Sequence, residues 1–91
     1  MDADFFAINP DIVLRSEEEG AFLFEPDSGR ICLVNEVGRS IWKLCKNPVT
    51  LSEIIVRITH DYADVPHEKV HAECREFLSN LEKLGFLSIA H

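Results

Sequence analysis

The chain has no apolar run near the ~18–20 residues that a membrane-spanning helix requires. Its first residues, MDADFF, are acidic, so the basic start of a secretory signal is missing. No internal repeat, low-complexity tract or linker interrupts it. Cysteine is scarce: Cys32, Cys45 and Cys74 are three, an odd count, widely spaced. That argues against a disulfide framework and for reduced, buried thiols in a cytoplasmic protein. Base is scarce too. Nine Lys and Arg stand against 16 Asp and Glu, for a net charge of −7. Such a chain lacks the electrostatic footprint for phosphate backbones. The charge suits a basic protein or peptide partner, or serves solubility alone. Also missing are Gly-x-Ser-x-Gly, a phosphate-binding glycine loop and a carboxylate pair set among apolar residues. These absences point to no catalysis and no cofactor.

What is present is the composition of a globular domain. The 91 residues are 46% hydrophobic and 27% charged, which excludes a disordered chain. They make one domain with a modest core. Met1–Pro10 is expected to be an irregular arm that packs through Phe5, Phe6 and Ile8 and ends at Asn9-Pro10. Asp11–Ser16 is expected as a weakly one-sided strand, and Glu17–Gly20 as a solvated turn. Phe22 and Phe24 share one face of the next strand; Ile31 and Leu33 share one face of the strand after it. Between them, Pro26-Asp27-Ser28-Gly29 has the chemistry of a hairpin turn. Three antiparallel strands in meander order follow.

At Asn35 the period changes. Asn35 is an N-cap, Glu36 lies favourably in the first turn, and Val37, Ile41, Leu44 and Cys45 form a helical stripe with Trp42 beside it. Asn47-Pro48 stops that helix. Thr50-Leu51-Ser52-Glu53 is a capping box opening a second, whose stripe is Leu51, Ile54, Ile55, Ile58 and Tyr62. Pro66 opens a third, with Val70, Cys74, Phe77, Leu78, Leu81 and Leu84 on its apolar face and Gly85 at its C-cap. Phe86–Ile89 is a short apolar tail, suited either to adding a strand or to folding onto the helices. The expected class is α+β, winged-helix-like: a three-stranded antiparallel sheet followed by three helices packed on one side.

Three constellations bear on chemistry. His67, His71 and Cys74 follow a His-x-x-x-His-x-x-Cys spacing that sets three potential zinc ligands along one helix. Cys74 lies on the core arc, however, and no fourth ligand is evident, so a structural role is expected and no metal. A Cys74–His71 nucleophile needs an electropositive, accessible thiolate, for which nothing speaks. The last two helices resemble a helix-turn-helix, but the third carries Glu68, Glu73, Glu76 and Glu82 against Lys69, Arg75 and Lys83, a poor reader of a phosphate-lined groove. What remains is the strand Arg30–Val34. In a meander it is an edge strand, short, without proline, and its interior Ile31-Cys32-Leu33-Val34 is uncharged. Either an extended peptide adds to it, or the C-terminal tail, a helix or a second copy covers it.

Taken in order, Leu14-Arg15, the hairpin with Pro26-Asp27-Ser28-Gly29, Leu33-Val34-Asn35, Gly38, Ile41-Trp42, Leu44, Thr50–Ile54 and Tyr62 resemble the PqqD family. So do Phe77-Leu78, Leu81 and Gly85-Phe86-Leu87. The resemblance spans residues 8–89. It implies a non-catalytic RiPP recognition element, where RiPPs are ribosomally made, post-translationally modified peptides. Family members bind the leader segment of a precursor peptide and present it to a modifying enzyme, often a radical SAM protein. The leader adds to the third strand and packs against the third helix. On this chain the resemblance implies contacts along Arg30, Ile31, Cys32, Leu33 and Val34, with His71, Arg75 and Leu78 on the helix flank and Cys74 at the groove floor. The last four are inferred from position, not from a matched motif. Members dedicated to pyrroloquinoline quinone tend to carry Thr-Ala soon after the Asn. Glu36-Val37-Gly38 here is more like the broader PqqD-like group, so the pathway stays open. The expected partners are a leader peptide and a radical SAM or other modifying enzyme, with no nucleic acid and no membrane, for a monomer or homodimer. The alternatives are a winged-helix nucleic-acid binder and a dimerising interaction module. A proline at Cys32 or Leu33 is expected to weaken leader binding while the fold survives.

Overall fold

The computed structural model describes residues 4–18 and 20–90. In chain order the elements are β1 (Phe5–Ile8), β2 (Val13–Glu17), β3 (Gly20–Phe24), β4 (Ile31–Val34), α1 (Glu36–Leu44), β5 (Val49–Thr50), α2 (Leu51–Asp61), α3 (His67–Leu84) and β6 (Leu87–Ala90). The fold is α+β, with β2-β3-β4 forming the expected antiparallel meander ahead of the three helices. Of the expected turn at Glu17–Gly20, Glu17 ends β2 and Gly20 starts β3; Glu19 lies outside the described residues, as do Met1–Ala3 of the arm.

Local signals account for the boundaries. Gly29 takes a left-handed conformation (φ 75°) and donates to the Glu25 carbonyl at 2.8 Å, closing the β3–β4 hairpin. The Asn35 Oδ1 accepts from the Gly38 N–H at 2.8 Å and starts α1. Thr50 and Glu53 exchange both capping-box bonds at the start of α2. Gly85 (φ 78°) ends α3, and the Phe86 N–H reaches back to the Leu81 carbonyl at 2.9 Å. Pro66 occupies the N-cap of α3, just ahead of its first turn.

The core gathers the predicted stripes: Leu23 from the sheet, Ile41 and Cys45 from α1, Ile54 and Ile58 from α2, and Cys74 and Leu81 from α3 are all fully buried. The three cysteines are free. Burial pushes the Cys45 thiol up to about 12. It pushes Cys74 to about 11, with a smaller push from the Glu73 charge. Neither is the thiolate that nucleophilic chemistry needs. The sign of the linkage follows: above the ordinary thiol value of 9.0 the unfolded chain loses these protons and the folded chain keeps them. Stability is therefore expected to fall as pH rises from about 9 towards about 11–12. The urea midpoint should drop between about pH 8 and about pH 10, and less so in a Cys45→Ala variant.

One expectation is corrected. The N-terminal arm is not irregular over its described residues: β1 is a strand at the centre of a second antiparallel sheet, ordered β5-β1-β6. Phe5 and Phe6 pair with Thr50 and Val49 on one side and with Ala90 and Ile89 on the other. The Ile8 and Asn9 N–H groups continue the anchoring, to the carbonyls of Cys45 and Phe86. The C-terminal tail therefore does add a strand, but to β1 and not to β4.

Candidate functional site: an open strand edge beside a helical groove

β4 is left with one partnered and one unpartnered side, since no described strand pairs with its outer edge. Its register decides which groups face outward. At the hairpin end the Glu25 N–H bonds the Arg30 carbonyl at 2.9 Å. Pairs alternate from there, so Cys32 (opposite Leu23) and Val34 (opposite Ala21) turn their backbone groups to β3. Ile31 and Leu33 turn theirs to the open edge. Their side chains are exposed as well, Leu33 by 81% and Ile31 by 55%.

The two faces of this sheet differ. Towards the helices lie Ala21, Leu23 and Val34, all buried. On the outer face, the registers align Val13, Phe24 and Ile31 in one row and Arg15, Phe22 and Leu33 in the next. Five of those six side chains are apolar, and nothing among the described residues covers Val13, Ile31 or Leu33.

On the helix side a groove of about 220 Å³ runs beside the edge. Leu33, Val34 and Asn35 border it from the strand, and Val37, Gly38 and Ile41 from α1. The opposite wall is α3, through Glu73, Glu76, Phe77 and Asn80. The Phe77 ring rests against the α1 backbone at Gly38. A Cβ there would stand 3.0 Å from Phe77 Cε1 and 3.3 Å from Asn35 Oδ1. Gly38→Ala is accordingly expected to displace the ring and narrow the groove. Overpacking of ~1–3 kcal/mol is partly offset by the ~1 kcal/mol gain in helix propensity, so the fold should survive. Shifted Phe77 ring resonances in a folded variant would bear this out; an unmoved ring would contradict it.

Arg30 anchors the base of the strand. Its guanidinium pairs with the Glu25 carboxylate at 2.8 Å and lies over the Phe86 ring, 5.5 Å from the centroid. Hydrogen bonds from the Ser28 hydroxyl first, and from Arg30 second, hold the Glu25 carboxyl below its usual range. Arg30 thereby ties the β3–β4 turn to the α3–β6 junction.

Of the residues singled out in the sequence, Arg30–Val34 lie together along the edge. The four on α3 do not join them. Cys74 and Leu78 are in the buried core. Arg75 and Leu78 border a separate depression with Phe6, Leu51 and Ile89, beside the second sheet. His71 lies on another, with His60, His67, Ile55 and Val56, between α2 and α3. This placement has a physical reason. The core arc of α3 has a flank on either side, and the way the helix packs turns the Glu73–Phe77–Asn80 flank to β4 and the His71–Arg75 flank away from it. Phe77, the aromatic at the margin of the arc, was the available signal. His67 and His71 are exposed while Cys74 is buried, so these three do not converge. Among the described residues no group of three or more His, Cys, Asp or Glu is placed to hold a metal ion. No described helix is long and apolar enough to cross a membrane.

A three-stranded meander backed by three helices, with an unpaired strand edge over a groove, defines a small α+β module. The model of the PqqD family, coenzyme PQQ synthesis protein D, matches residues 20–87, and the chain belongs to that family. No curated protein matches it. The fold is similar to that of TbiB1 in complex with the TbiA(beta) leader peptide, at TM-score 0.73 and 24% identity, over 90% of this chain and 94% of that one. It is also similar to lasso peptide synthetase B1 complexed with the leader peptide, at TM-score 0.74 and 17% identity, over 91% and 96%. A third likeness is to the PqqD truncation of Methylobacterium extorquens PqqCD, described as a functional, stand-alone RiPP recognition element. There the TM-score is 0.75 and the identity 20%, over 97% and 93%.

Proposed function

We propose that this chain is a non-catalytic peptide chaperone that binds the leader segment of a ribosomally made precursor and presents it to a modifying enzyme. The observation that carries this is the outward-facing backbone of Ile31 and Leu33 on an uncovered edge, directly beside the groove between α1 and α3. A leader entering as a fourth strand would satisfy those groups and rest side chains on Val37 and Phe77. Family membership and two similar structures, both complexes with a leader peptide, support the reading. Arg30 and Cys32 hold the edge in register, and the α3 contacts come from the Glu73–Phe77–Asn80 flank. The whole chain acts as one binding unit, without cofactor. The modifying enzyme is taken to be a radical SAM protein by family resemblance, and the free cysteines fit the cytoplasm.

The experiment is a calorimetric titration with the leader segment of a short precursor encoded beside the gene. Saturable one-to-one binding of the leader, and none of the core segment that follows it, is expected. Equal binding of the two segments would contradict the reading.

A further inference from the structure

The two sides of the open edge differ in chemistry, and that difference prescribes the strand it accepts. Successive side chains of an added strand point to opposite faces of the sheet. Those level with Cys32 and Val34 would enter the groove; those level with Ile31 and Leu33 would extend the outer face. The groove has an apolar floor, Val37, Ile41 and Phe77, under a rim carrying Glu73 and Glu76. Neither carboxylate has an ion-pair or hydrogen-bond partner among the described residues, and no Lys, Arg or His lines the groove. A side chain with an aliphatic stem and a cationic head matches both parts: its stem covers Phe77 and Val37 while its head reaches the rim. The outer rows, Val13–Phe24–Ile31 and Arg15–Phe22–Leu33, instead offer apolar cross-strand neighbours to the next strand.

We infer that the bound segment is an amphipathic basic strand, with Lys or Arg at the groove-facing positions and apolar side chains at the alternate, outward ones. This rests on the strand-addition reading above and adds its selectivity. Glu73 and Glu76 are the specificity-determining residues, and the chain's net charge of −7 steers such a peptide to them.

The test uses a phage-displayed library of random peptides selected on the purified chain. Enriched clones are measured by fluorescence anisotropy against the parent, Leu33→Pro and the Glu73→Gln/Glu76→Gln double variant, each confirmed folded by its amide spectrum. Expected are clones with alternating basic and apolar residues that Leu33→Pro does not retain. Their affinity should fall at least tenfold in the double variant and decline with added salt. Clones that need Leu33 but are neutral or acidic, or that the double variant binds equally well, would overturn the charge inference and leave strand addition standing. No enrichment, or the same clones enriched on Leu33→Pro, would overturn strand addition and this inference with it.

Discussion

Leu33→Pro is expected to lower leader affinity at least tenfold, about 1.4 kcal/mol, in a protein that still folds. Proline removes the backbone N–H, and at Leu33 that donor faces the open edge rather than β3. The loss therefore falls on the incoming strand. One hydrogen bond of ~0.5–1.5 kcal/mol goes, the partner carbonyl is left unsatisfied, and the pyrrolidine ring blocks close approach. The domain itself loses only the fit of an 81%-exposed side chain. Cys32→Pro behaves differently. Its N–H faces Leu23, a fully buried residue of the central strand, so proline there breaks the ladder inside the sheet. The sequence treats the two positions as equivalent; the register separates them. Urea midpoints and leader titrations on both variants check this. Equal binding defects at equal stability would contradict it.

Phe86→Ala is expected to cost ~3–5 kcal/mol, a large part of the ~5–15 kcal/mol available to a domain. Phe86 is fully buried. Its N–H donates to the Leu81 carbonyl and so closes the end of α3, and its own carbonyl accepts from the Asn9 N–H that follows β1. Its ring lies beneath Arg30 at the root of β4. Truncation thus opens a cavity where α3, β1 and the root of β4 meet. The urea midpoint should fall steeply, and amide exchange in the β3–β4 hairpin should quicken with it. A loss below about 1 kcal/mol would mean that the site collapses around the cavity.

The elements that were legible in the sequence carry their instructions locally. Pro26–Gly29 sets the hairpin, Asn35 and Thr50 start two helices, and Gly85 ends the third, each by bonds within a few residues. The second sheet has no such signature. Its strands are two to four residues long, and Phe5 pairs with Ala90, a residue far away in the sequence. The same limit applies to the site. The edge follows from strand order, which short connections dictate. The groove depends on which flank of α3 faces β4. Periodicity defines the core arc through Val70, Cys74 and Leu81 but treats its two flanks alike, so it does not separate the His71–Arg75 side from the Glu73–Phe77 side.

Strand addition leaves an alternating mark that no side-chain contact would imitate. Amide hydrogen exchange, followed residue by residue with and without saturating leader peptide, reads it directly. Exchange at Ile31 and Leu33 should slow on binding, whereas Cys32 and Val34, already bonded to β3, should change little. Saturated binding with the Ile31 and Leu33 amides still exchanging at their unbound rates would contradict the account.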